Sequence, residues 1–280
     1  KSQAFYEFNM ARIDQFAEAS TGRPADGLSV VMLGNSRLKY ATLSEAEMVA
    51  LAESRGLGEM RFLEFVNNWA IFEDFEGLAA PLLEAEPDLI VFQLELLVKE
   101  RADFSRLLLL REYVLWQLLG IGPWNPGNID QRALQFDRPC ANDHSQDAIA
   151  TRLERTERWL SYDALGRSAR LARDFIATAT VRGIPVVLLS IPKTQKAEEF
   201  PILATSTLWR MLDHEVERLE SNDKVSHWRY TAAIPDGEFC DVVHMNESAR
   251  RNFSAWLVSR LTDMRHMAID SRRAEGSPGS

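Results

Sequence analysis

Cysteine is scarce in this chain: Cys140 and Cys240 are the only two in 280 residues. Two are too few for a disulfide framework or a cysteine zinc site. One bridge in an oxidising compartment, or two unpaired buried thiols, are the readings left open. Long apolar runs are also missing. No stretch reaches the roughly 18–20 apolar residues of a membrane span, and the segment from Leu107 to Ile121 is interrupted by Arg111 and Glu112. There is no basic excess, with 32 Lys and Arg against 41 Asp and Glu and a net charge of −9. Phosphate binding asks for a basic face, so nucleic acid is not expected as a partner. Neither a GxGxxG fingerprint nor a Walker-type loop is present, and nucleotide binding has no direct support. Internal repeats and low-complexity segments are absent as well.

What is present reads as an ordinary globular chain, 46% hydrophobic and 26% charged. Its length suits one large α/β domain, or two small ones, with a substantial core. Residues 1–27 read as a helix, with Phe5, Phe8, Ile13 and Phe16 at helical spacing, followed by a Gly- and Pro-containing lead-in. Strands are predicted at Ser29–Leu33, Met60–Val66, Leu89–Phe92, Pro185–Ser190 and Ser226–Ala233. Helices are predicted between them, at about 45–56, 71–85, 148–183 with a break near 161–166, and 206–219. A last helix runs from Asn246 to about Met264, with Phe253, Trp256, Leu257 and Leu261 on one face. Alternating strands and helices imply a mostly parallel five-stranded sheet covered on both faces, a flavodoxin-like three-layer α/β/α sandwich. One such domain spans 28–268, with a helical and loop insertion at about 98–150 and a disordered tail at 269–280.

Two stretches carry chemistry. The apolar run Val30-Val31-Met32-Leu33 ends abruptly at Gly34-Asn35-Ser36-Arg37, which puts a serine at the carboxyl end of a strand. Open α/β sheets place their ligands at that edge, and a strained strand-to-helix turn is one way to expose a nucleophilic hydroxyl. Far along the chain stands Asp241-Val242-Val243-His244-Met245-Asn246. A serine hydroxyl needs a base within reach, and the base needs an orienting partner. His244 is the candidate base and Asp241 its partner, since residues three apart share one face of a helical turn. Asn246 is placed to cap the final helix. Each stretch alone also reads as a mere turn or cap. Together, at two carboxyl ends of one predicted sheet, they point to a serine hydrolase or acyltransferase. The other histidines (His144, His214, His227 and His266) lack metal-ligand spacing and read as structural or surface residues. Trp116, Trp124 and Trp159 read as ordinary packing, or as the lining of a sugar cleft.

The two blocks resemble those of the SGNH, or GDSL-type, hydrolase superfamily: Gly34-Asn35-Ser36 after the first strand, and Asp241-x-x-His244 before the last helix. The wording Leu33-Gly34-Asn35-Ser36-Arg37 is similar to a membrane-anchored or periplasmic branch that acts in polysaccharide O-acetylation. The resemblance implies Ser36 as nucleophile, His244 as base, Asp241 as its partner, and no metal or organic cofactor. It also implies a carbohydrate or polysaccharide substrate, an acyl donor and a membrane-bound partner of an acetylation system. Placement outside the cytoplasm follows from the branch, with an anchor or signal expected upstream of Lys1. Two family blocks depart from the pattern. After strand two stands Asn67-Asn68-Trp69 where a glycine is usual, and after strand three Gln93-Leu94-Glu95 stands where Gly-x-Asn-Asp is usual. Asn67, Asn68 and Gln93 are therefore the candidate oxyanion donors, and Glu95 reads as a solvated strand end. A catalytically degenerate module that binds a polysaccharide or partner enzyme is the alternative, and it predicts Ser36, His244 and Asp241 out of mutual reach. A lipase-like esterase is a third reading, and it predicts an open apolar pocket.

Overall fold

The computed structural model describes residues 3–20, 27–102, 160–199 and 206–275, with isolated positions between 107 and 154. Most of the expected insertion, with Trp116, Trp124, Cys140 and His144, lies outside the described residues, as do Trp159 and 276–280. In chain order the first elements are α1 (Gln3–Ser20), β1 (Leu28–Asn35), α2 (Ser36–Ala41), α3 (Glu45–Ser54), β2 (Met60–Asn67), α4 (Glu76–Glu84) and β3 (Leu89–Gln93). There follow β4 (Lys99–Arg101), β5 (Leu160–Tyr162), α5 (Arg167–Val181), β6 (Val186–Ser190), α6 (Gln195–Glu199), α7 (Ser206–Glu220), β7 (Val225–Arg229) and α8 (Glu247–Glu275).

The main sheet has five strands in the order β2-β1-β3-β6-β7, and every pairing in it is parallel. Its inner strands are apolar on both faces, as a sheet covered on both sides requires. Along β1 the alternation splits the core. Val31 and Leu33 join Ile13, Phe16, Leu82, Phe175 and Leu212 on the side of α1, α4, α5 and α7. Val30 and Met32 join Leu38, Met48, Phe253 and Leu257 on the side of α2, α3 and α8. The result is the expected three-layer α/β/α sandwich. From β1 the chain crosses to β2 on one side, while β3 lies on the other. The crevice between the carboxyl ends of β1 and β3 is thus the topological switch point, where such sheets bind ligands.

Several elements differ from expectation. The stretch 71–85 divides into a 3₁₀ turn, Phe72–Phe75, and then α4. Strand β7 ends at Arg229 rather than Ala233. Helix α8 runs to Glu275, past the expected stop near Met264. A second, two-stranded antiparallel sheet pairs Lys99 with Tyr162 and Arg101 with Leu160. Three-residue strands carry too little alternation to announce themselves. No described helix is long and apolar enough to cross a membrane.

Candidate active site

The corner after β1 is built residue by residue. At Gly34 a side chain is sterically excluded: a Cβ would stand 2.5 Å from the Leu38 Cβ and 2.8 Å from Gln93 Oε1. Its hydrogen lets α2 fold back tightly onto its own strand. Asn35 is the N-cap of α2, its side chain accepting from the Arg37 N–H at 2.9 Å. It is extended, with φ −110°, so the corner carries none of the left-handed strain expected of an exposed-nucleophile elbow. Ser36 then opens the helix, half-buried at the carboxyl edge of the sheet.

The partner residues arrive on a closed loop between β7 and α8. Phe239 and Met245 bridge antiparallel, and the Cys240 N–H donates to the His244 carbonyl at 2.7 Å. Cys240 itself is disulfide-bonded. Asp241 turns the loop: its Oδ1 accepts from the backbone N–H of Val243 and of His244, each at 2.9 Å. Residues 241 and 244 therefore meet through a side-chain-capped bend and not through the helical turn their spacing suggested. Thr194, beyond β6, ties the loop down by donating its N–H to the Val242 carbonyl at 3.2 Å. Asn246 caps α8 as expected, its Oδ1 accepting from the Ala249 N–H at 3.1 Å.

These two constructions bring three side chains into line. His244 Nδ1 lies 2.8 Å from Asp241 Oδ2, and His244 Nε2 lies 3.0 Å from Ser36 Oγ. A carboxylate only accepts, so Nδ1 carries the proton and Nε2 is left to accept from the serine hydroxyl. The His244 side chain is 12% exposed and that of Asp241 30%. Solvent thus reaches the aspartate more freely than the imidazole. The ring of Tyr40, one helical turn beyond Ser36, packs against the His244 imidazole with centroids 4.6 Å apart. Among the described residues no cluster of His, Cys, Asp or Glu is arranged to hold a metal ion.

The candidate oxyanion residues take different places. Asn67 ends β2 directly opposite Asn35, half-buried, and Asn68 is exposed. Their turn closes with the Ala70 N–H on the Asn67 carbonyl at 3.2 Å, and Trp69 within it adopts φ +60°. A bulky residue in that region marks local strain beside the site. Gln93 is engaged elsewhere. Its Oε1 accepts from the Asn35 N–H at 2.8 Å and its Nε2 donates to Glu95 Oε2 at 3.1 Å, so both ends of the amide are engaged within the protein. Glu95 overturns its reading as a solvated strand end. It is 7% exposed and ion-paired with Arg37, with Lys99 at 3.1 Å and with Lys193 at 3.4 Å. Burial favours the neutral acid, but the three cations together outweigh it and hold the carboxyl well below its ordinary range. Burial likewise lowers Lys99, partly offset by Glu95. Arg37, Tyr40, Lys99 and Lys193 escaped the sequence reading. The i, i+4 spacing of Ser36 to Tyr40 and of Glu95 to Lys99 was the available signal.

No protein-family model matches the chain, and no curated protein matches it. Among solved structures it is similar to a catalytic mutant of Axe2, an acetylxylan esterase from Geobacillus stearothermophilus. The identity is 8% and the TM-score 0.44, over 82% of this chain and 92% of that one. It is also similar to TesA, at 13% identity and TM-score 0.40 over 84% and 99% of the two chains. The acetyl xylan esterase AlAXEase is a third, at 12% identity and TM-score 0.37 over 83% and 99%. The molecule itself carries a three-layer α/β/α fold with an all-parallel five-stranded sheet, and Ser36, His244 and Asp241 stand in one hydrogen-bonded line.

Proposed function

We propose that this chain is a serine-dependent enzyme that hydrolyses or transfers an O-acyl group, most simply acetyl, on a carbohydrate such as a cell-surface polysaccharide. The observation that carries the proposal is the 3.0 Å approach of His244 Nε2 to Ser36 Oγ, with Asp241 holding Nδ1 behind it. His244 takes the hydroxyl proton as Oγ attacks the ester carbonyl. The tetrahedral intermediate collapses to an acyl-Ser36, and His244 returns the proton to the leaving alcohol. Water or a sugar hydroxyl then attacks the acyl-enzyme with His244 again as base. The Ser36 N–H, which has no intrahelical acceptor at the start of α2, and the Asn67–Asn68 turn opposite Asn35 are the nearest donors for the oxyanion. A degenerate module calls for the three residues to be apart, and they are in contact. The disulfide at Cys240 supports an oxidising, extracytoplasmic setting, in which a membrane-bound partner of an acetylation system would meet the chain.

The test is acetate release from p-nitrophenyl acetate by the wild type, Ser36→Ala and His244→Ala, with intact-mass analysis of quenched samples. The expected result is an acetyl adduct on Ser36 in the wild type and no turnover in either variant. Turnover that survives Ser36→Ala would refute the proposal. Acetyl transfer to a xylo- or mannuronate oligosaccharide, set against release to water, then separates transferase from esterase.

A further inference from the structure

Ser36 has a neighbour on each side, and both neighbours are tied to one buried carboxylate. On the β1 side the Asn35 N–H donates to Gln93 Oε1 at 2.8 Å, and the far end of the same amide donates to Glu95 Oε2 at 3.1 Å. On the α2 side the Arg37 guanidinium binds Glu95 Oε1 with one nitrogen and the Ile191 carbonyl with another. Lys99 and Lys193 hold the carboxylate from β4 and from the loop after β6. Arg37, Gln93, Glu95, Lys99 and Lys193 are all buried.

The chemistry of the parts makes this a directional brace. A carboxylate offers only acceptors, so it fixes which end of the Gln93 amide faces it. That choice turns Oε1 toward the Asn35 N–H and sets the backbone from which Ser36 springs. Arg37, Lys99 and Lys193 hold the Glu95 carboxyl well below its ordinary range, so it stays ionised across neutral pH and the amide keeps one orientation. The Arg37 fork reaches across to Ile191 and joins the end of β6 to the start of α2. Lost brace contacts let Oγ wander, and a displacement of about 1 Å at a reacting atom costs about 10²-fold in rate.

We propose that Glu95 is a positioning residue for the Ser36 nucleophile, acting on Asn35 through the Gln93 amide and on the other flank through Arg37. It takes up the ground where the related enzymes' third block would stand, and it acts from beneath the nucleophile, without touching substrate. The inference rests on the serine-nucleophile reading above.

Its test uses Glu95→Gln, Gln93→Leu and the double variant, each checked for folding by circular dichroism and thermal melting. The rate of Ser36 labelling by a fluorophosphonate, together with kcat, KM and the pH profile for p-nitrophenyl acetate, is measured for each. In Glu95→Gln the new amide can turn a donor toward Gln93 and remove the preference for one orientation. Expected are a fall of about 10²-fold in labelling rate and kcat, with KM nearly unchanged. The midpoint of the pH profile should stay put, because the His244–Asp241 pair is untouched. The double variant should be no slower than Glu95→Gln, since one residue acts through the other. Folded Glu95→Gln and Gln93→Leu proteins that label Ser36 at the wild-type rate would overturn this proposal alone, as would strictly additive effects in the double variant. A wild type in which Ser36 takes no label would overturn the nucleophile reading and this proposal with it. Should Glu95→Gln fail to fold, Gln93→Leu decides by itself: unimpaired labelling refutes the brace.

Discussion

Glu64, in the middle of β2, should make the protein lose stability as the pH rises from about 4.5 toward 7. Its carboxyl is 5% exposed and pushed up to about 7 from an ordinary 4.5. Burial is the main cause. Thr42 acts against it, as do Arg12 and Lys39, while Glu45 adds to it. Local geometry agrees. The Thr42 hydroxyl lies 2.8 Å from the Leu38 carbonyl and 2.9 Å from Glu64 Oε1, yet it has one proton to give. A neutral Glu64 donates to Thr42 Oγ and frees that proton for Leu38; an ionised one leaves two acceptors competing for it. The folded state thus prefers the neutral acid. Its contribution is fully present below about pH 4.5 and is lost as pH rises through about 7. The gap from 4.5 to about 7 amounts to about 3 kcal/mol at saturation. Glu64→Gln supplies a permanent donor to Thr42 and carries no charge. Urea unfolding followed by tryptophan fluorescence, for wild type and variant at about pH 5 and about pH 8.5, gives the comparison. Between those two conditions the variant should gain about 2–3 kcal/mol on the wild type. An equal difference between the two proteins at both pH values would refute the reasoning.

Other predictions concern the site. Asp241→Asn keeps an acceptor for the Val243 and His244 N–H groups but presents an amide donor to Nδ1, so the imidazole is driven to the wrong tautomer. Turnover should fall by about 10³–10⁴-fold with the fold intact by circular dichroism. Gly34→Ala drives a methyl group against the Leu38 Cβ and should cost about 1–3 kcal/mol in urea unfolding, with activity lost as α2 shifts. Tyr40→Ala removes the ring that packs on His244; kcat/KM should fall by roughly tenfold or less and Tyr40→Phe should restore it. A deficit in Tyr40→Phe equal to that of Tyr40→Ala would show that the hydroxyl, and not the ring, is what matters.

Much of this is legible in the sequence alone. The strands β1, β3 and β6 are apolar on both faces, and that alone places them inside a covered parallel sheet. Ser36, Asp241 and His244 could be read because each sits in a short block with its own local grammar. Glu95 could not. Its three cations come from residues 37, 99 and 193, and nothing local distinguishes a buried carboxylate with distant partners from an exposed one. The Lys99–Arg101 pairing was hidden for a related reason, since three polar residues show no period at all. Gln93 stood where a donor was wanted, but side-chain direction is set by tertiary contacts that spacing does not record.

His244 stands 208 residues beyond the Ser36 hydroxyl it meets. On a ribosome the serine corner, with its strand and helix, is made long before the loop that bears Asp241 and His244. Until that loop has been threaded beside β6 and anchored by α8, the serine remains an ordinary alcohol. The line from Asp241 through His244 to Ser36 is therefore withheld from the nascent chain and completed only when the last layer docks. In this protein the contact between Ser36 and His244 reports that folding has finished.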